Sequence, residues 1–172
     1  MSLRLRDGLL AALACLLLGA CVPAIRGDVV STTFVVVRHA EKVDDGNDPS
    51  LAPAGQARAQ ALAHRLRGDL LGGVYATGYR RTQETAQPTA RSHGMPVTTY
   101  DARMPVAEFA AQLRREHRSG TVLVVGHSNT APEIAAALCA CAVAPMGETE
   151  FDRLMTVSVE PDGRATYHEQ RY

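Results

Sequence analysis

The chain has 172 residues, 46% hydrophobic and 21% charged, with 18 Lys and Arg against 18 Asp and Glu. That composition suits one globular domain with a real core and leaves little room for a second. Zero net charge argues against bulk, salt-driven binding to nucleic acid. No apolar run reaches the ~18–20 residues that cross a bilayer.

Residues 1–20 differ from the rest. Arg4 and Arg6 precede an apolar run from Gly8 to Leu18, which closes on Gly19 and Ala20. A basic head, a short apolar middle and a small-residue end read as a secretory signal. A first core helix is the competing reading, but the run is apolar on every face. Leu18-Gly19-Ala20-Cys21 resembles the lipobox of bacterial lipoproteins. The resemblance implies cleavage before Cys21, lipidation of its thiol, a tether over 21–31 and a folded domain over 32–172. The similar stretch ending at Cys15 leaves too short an apolar run ahead of it. Two or three acyl chains would anchor the protein firmly, at roughly 0.8 kcal/mol per buried methylene. Val22 follows the cysteine, where an Asp commonly marks inner-membrane retention. In a two-membrane host the resemblance therefore implies the outer membrane or periplasm.

Thr32 to Val37 is β-branched and apolar throughout and predicts a fully buried strand. A polar loop, 42–50, carries Asp44, Asp45 and Asp48. Their spacing misses the calcium-loop pattern, so a solvated loop is expected. Pro53 opens a helix to about Arg67. Gly72-Gly73 is expected to break the chain before a short strand, Val74 to Ala76. A helix from about Tyr79 to Ser92 and a strand from Pro96 to Tyr100 follow. Pro105 starts a helix to about His117, Thr121 to Val125 is a second buried strand, and Ala131 to Ala140 is a helix. Alternation over Leu154–Glu160 and Ala165–Arg171 around Pro161-Asp162-Gly163 predicts a hairpin. Strands alternating with helices indicate an α/β fold, a three-layer αβα sandwich. Its sheet is mostly parallel, with an antiparallel C-terminal hairpin at one edge. Cys139 and Cys141 are expected as free thiols, because a Cys-x-Cys ring is small and side chains so spaced on a helix diverge. His64, His93, His117 and His168 are expected to be exposed or capping.

In such sheets ligands bind beyond the carboxyl ends of the strands. Arg38-His39 follows the first strand, Thr77 to Thr82 the second, Asp101 the third and Gly126-His127-Ser128-Asn129 the fourth. Two imidazoles and at least two guanidiniums thus converge on one rim. Phosphoryl transfer suits them. Arginine holds phosphate oxygens in a planar fork and keeps its charge, and helix N-termini add N–H donors. A neutral imidazole flanked by cations keeps a lone pair for attack, and a second can donate to the equatorial oxygens. Fixed positive charge could then replace a metal ion.

Arg38-His39-Ala40-Glu41 resembles the Arg-His-Gly-Glu signature of the histidine phosphatase superfamily, also called phosphoglycerate-mutase-like. Leu51 to Gly55 resembles that family's Leu-Thr-x-x-Gly helix start. Thr77 to Ala86 is similar to its Ser-x-x-x-Arg-Ala-x-Gln-Thr-Ala block, and Val124-Val125-Gly126-His127 to the strand carrying its second histidine. The resemblance spans most of 32–172 and implies roles by position. His39 is the nucleophile that becomes phosphohistidine, and Arg38 and Arg81, rather than Arg80, bind phosphate. His127 is the second histidine. The family pattern departs at Ala40 (Gly) and Thr77 (Ser), neither of which removes a reacting group.

The general acid is less defined. Asp101 directly follows a strand and is expected to face the crevice, with Glu108 as alternative. Phytase-like relatives place an Asp after the second histidine, and Ser128 stands there instead. The short segment between Arg81 and His127 has no room for the lid of the mutases. Water would reach the phosphoenzyme, which favours hydrolysis. The reading is an exported, lipid-anchored, metal-independent phosphomonoesterase with no cofactor, acting on a small phosphorylated substrate. The alternative is a catalytically inactive lipoprotein that binds phosphorylated ligands or a protein partner.

Overall fold

A computed structural model describes residues 30–172; the signal segment, Cys21 and most of the tether lie outside the described residues. Six strands form one sheet in the order β3-β2-β4-β1-β5-β6. They are β1 (Thr32–Arg38), β2 (Leu71–Thr77), β3 (Thr98–Tyr100), β4 (Gly120–Gly126), β5 (Arg153–Val159) and β6 (Ala165–Arg171). The first four in chain order run parallel, β4 lying between β2 and β1. Then β5 pairs antiparallel with β1, and β6 with β5, which is the expected hairpin.

The helices are α1 (Pro53–Leu66), α2 (Arg80–Ser92), α3 (Val106–Glu116) and α4 (Thr130–Cys139). They pack in pairs, α1 with α2 and α3 with α4. Alternation along β1 explains the layering. Phe34 and Val36 join Phe109, Leu113, Ile134 and Leu138 in one core. Val35 and Val37 join Leu62, Leu66, Ala86 and Ala90 in the other. A strand buried on both faces needs apolar side chains at every position, which is what the sequence shows there.

Two expectations are corrected. Gly72 and Gly73 do not precede β2 but lie within it, where the register shifts between Leu71 and Gly73. Cys139 and Cys141 are not free thiols; a disulfide joins them. Helix α4 ends at Cys139, and Ala140 adopts a left-handed conformation with φ of 51°. That turn breaks the helical geometry in which the two side chains would diverge. His117 is half-buried and, as expected of a capping residue, closes α3, its backbone N–H donating to the Leu113 carbonyl while its Nε2 meets the Tyr75 hydroxyl at 2.8 Å.

Candidate active site

The strand order reverses between β1, β4 and β2, and their carboxyl ends open a crevice of about 400 Å³. Arg38, His39, Arg81 and His127 all line it, with Lys42, Tyr79, Arg103, Ser128 and Glu148. The four residues placed together by sequence reasoning therefore share one cavity.

His39 is 4% exposed and Arg38 3%. Both are fixed by the backbone at the end of β1. The His39 N–H donates to the Gly126 carbonyl at 2.9 Å, continuing the ladder with β4 by one residue. The Ala40 N–H donates to Thr85 Oγ1, whose hydroxyl reaches the Arg81 carbonyl, so the β1 and α2 ends are stitched together. Gly55 belongs to this packing. A Cβ there would stand 2.2 Å from the Glu41 carbonyl oxygen, so only glycine lets α1 approach this closely.

The His39 imidazole donates from Nδ1 to the Ala40 carbonyl at 2.8 Å. Its other nitrogen, Nε2, then keeps its lone pair. Burial pushes this imidazole down to about 3, with Arg38, His127 and Arg81 adding to the shift against the bond to Ala40. His127 is pushed down to about 4, by burial first and then by Arg81 and Arg38. Both rings are neutral near pH 7. They meet edge to face, with centroids 5.5 Å apart. Nε2 of His127 lies 3.0 Å from Thr77 Oγ1, and Thr82 Oγ1 stands 2.8 Å behind Thr77 Oγ1. This buried hydroxyl pair fixes the ring, and the His127 N–H donates to Thr130 Oγ1 at the start of α4.

The arginines differ in their ties. Arg38 Nη1 donates to the carbonyls of Gly147 and Glu148, and Nη2 to a Glu148 carboxylate oxygen at 3.2 Å. Its Nε is buried with no hydrogen-bond partner among the described residues. The guanidinium also lies 4.3 Å from the Phe151 ring. The Arg81 side chain is 15% exposed and stacks on Tyr79 at 4.4 Å. Neighbouring Arg80 is 63% exposed and turns to Glu84. Asp48, in the polar loop, accepts the Arg80 backbone N–H at 2.7 Å and so caps α2.

Two acids expected near the crevice do not line it. Asp101 follows β3, an edge strand separated from β4 and β1 by β2, and so sits at the margin. Its carboxylate accepts from the backbone and side chain of Arg103, and it borders a neighbouring depression with Asn47 and Gly78. Glu108 is exposed in the first turn of α3. The carboxylate that does line the crevice is Glu148, from the loop between α4 and β5. Sequence reasoning missed it because that loop lies far along the chain from Arg38 and follows no strand of the parallel set. Its one signal was a Pro- and Gly-containing stretch rich in acids.

The family model for the histidine phosphatase superfamily (branch 1) matches residues 34–104. That span holds Arg38, His39 and Arg81. No curated protein matches the sequence. Among solved structures, the protein histidine phosphatase SixA complexed with tungstate is 18% identical with a TM-score of 0.64, covering 81% of this chain and 96% of its own. A protein described as a phosphohistidine phosphatase SixA, from Nakamurella multipartitia, is 24% identical with a TM-score of 0.60, covering 82% and 96%. A mycobacterial glucosyl-3-phosphoglycerate phosphatase is 16% identical with a TM-score of 0.57, covering 83% and 98%. These likenesses establish the fold over nearly the whole length of each of those chains.

Proposed function

We propose, from the match of residues 34–104 to the histidine phosphatase superfamily, that this chain hydrolyses phosphomonoesters through a phosphohistidine at His39. The observation that carries the reading is the tautomer lock. Nδ1 of a buried, neutral His39 is spent on Ala40, and Nε2 is left with its lone pair in a crevice that Arg38 and Arg81 also line. Arg38 and Arg81 hold the phosphoryl oxygens and neutralise their charge, which is where most of the barrier lowering arises. His39 Nε2 attacks phosphorus as the ester oxygen leaves, and the Nδ1–H bond to Ala40 supports the positive ring that results. Water then attacks phosphorus, and the N–P electron pair returns to Nε2. His127, held by Thr77, flanks the equatorial oxygens.

The positive charge comes from arginines, so the reading is metal-independent. Chelation should leave the rate unchanged. The decisive assay is turnover of an aryl phosphate by the wild type and by His39→Ala, with trapping of an acid-labile, alkali-stable phosphoenzyme. Equal turnover by both proteins would reject His39 as nucleophile. An inert wild type would instead favour a non-catalytic lipoprotein that binds phosphorylated ligands.

The signal-like segment and the lipobox-like Leu18–Cys21 support an exported protein anchored through Cys21 in the cell envelope. Its substrates are then envelope phosphomonoesters, such as phosphorylated lipid or sugar head groups. Labelling with a palmitate analogue, abolished in Cys21→Ala, tests the anchor.

A further inference from the structure

We propose that Glu148 is a catalytic residue of this site, the group that delivers the proton to the leaving oxygen; the inference rests on the phosphatase reading above. Among the described residues, Glu148 supplies the only carboxylate lining the crevice. Both of its oxygens meet crevice side chains. One accepts from Arg38 Nη2 at 3.2 Å, the other from Ser128 Oγ at 3.3 Å. The side chain is 84% exposed, so it can turn. Its backbone cannot. Arg38 holds the carbonyls of Gly147 and Glu148 from inside, and the buried Arg153 holds those of Ala144 and Pro145 from outside.

Nε and Nη2 of Arg38 share one edge of the guanidinium. A phosphoryl group binding that edge through two oxygens must replace Glu148 on Nη2. The displaced carboxylate stays beside the scissile bond because its backbone is pinned.

The proton balance closes without another reactant. A monoester monoanion brings one proton on its phosphoryl oxygens. As the arginines take those oxygens, that proton passes to the Glu148 carboxylate. His39 Nε2 forms the N–P bond, the P–O bond breaks, and Glu148 protonates the departing oxygen. In the second step a water adds to phosphorus and yields its proton to the ionised Glu148. The N–P pair returns to Nε2, and phosphate leaves with the proton.

The test is leaving-group dependence in Glu148→Gln, read as kcat/KM, which reports the first phosphoryl transfer. With phenyl phosphate, whose leaving oxygen needs a proton, kcat/KM should fall ~100-fold or more. With 2,4-dinitrophenyl phosphate, whose leaving group needs none, it should fall less than about tenfold. That ester should also show a burst of dinitrophenol, because water attack has lost its proton acceptor. Glu148→Asp should recover part of the phenyl phosphate rate. Equal losses with both esters, or no loss with either, would overturn the assignment while leaving the phosphatase reading intact. A wild type inert on both esters would remove that reading, and this inference with it. Thermal unfolding of both variants should match the wild type, since the exposed carboxylate contributes little to stability.

Discussion

Nδ1 of His39 lies 2.8 Å from the carbonyl oxygen of Ala40. A carbonyl only accepts, so the ring hydrogen sits on Nδ1 and the free lone pair on Nε2. Nitrogen-15 NMR of the imidazoles should therefore show a pyridine-type Nε2 for His39 throughout pH 5–8. Burial also holds this ring down to about 3, so no titration should appear near 6.5. A pyridine-type Nδ1, or a midpoint near the ordinary value, would contradict the lock.

The same burial ties stability to pH. His39 and His127 hold protons less readily when folded, at about 3 and about 4, than in the unfolded chain at 6.5. Between those values the unfolded state binds more protons, so stability rises with pH there. The contribution is complete above about pH 6.5 and is lost as pH falls through 6.5 toward 4 and 3. Melting temperature from pH 7 to pH 4 should fall less steeply in His127→Gln than in the wild type.

Much of this is legible in the sequence. Strands β1 and β4 announce themselves because burial on both faces demands unbroken apolar sequence, and the topology rule then puts Arg38, His39 and His127 at one rim. Arg81 was separable from Arg80 only through its place in a family block. Side-chain direction on α2 supplies the physical reason, since Arg81 turns inward over Tyr79. Asp101 was misplaced because a sequence does not reveal strand order, and an edge strand's end lies far from the switch point. Glu148 and Arg153 were invisible, because their work depends on a loop returning across the sheet to meet Arg38. The disulfide was hidden by one residue, Ala140, whose left-handed turn reverses the helical expectation.

Adjacent arginines give a sharp functional contrast. Arg81→Ala should lower kcat/KM for an aryl phosphate roughly 10²–10³-fold, as expected on losing a donor to developing charge. Arg81→Lys should recover little, because an ammonium cannot present the fork. Arg80→Ala should fall within about twofold of wild type, since its exposed side chain meets only Glu84. Comparable losses at both positions would mean that the two roles are reversed or shared.

Arg153 connects stability to the placement of Arg38. Its buried guanidinium donates to the Pro145 carbonyl at 2.8 Å, the Ala144 carbonyl at 3.1 Å and the Glu169 carboxylate at 2.7 Å. An apolar side chain of similar length makes none of these bonds and leaves two carbonyls to find water. Arg153→Met should therefore cost roughly 1.5–3 kcal/mol, read as a lower midpoint in urea. The loop it releases also carries the Gly147 and Glu148 carbonyls that orient Arg38. The variant should raise KM for an aryl phosphate and weaken inhibition by inorganic phosphate more than it lowers kcat. Loss of stability with KM and phosphate inhibition unchanged would show that Arg38 holds its place without this loop.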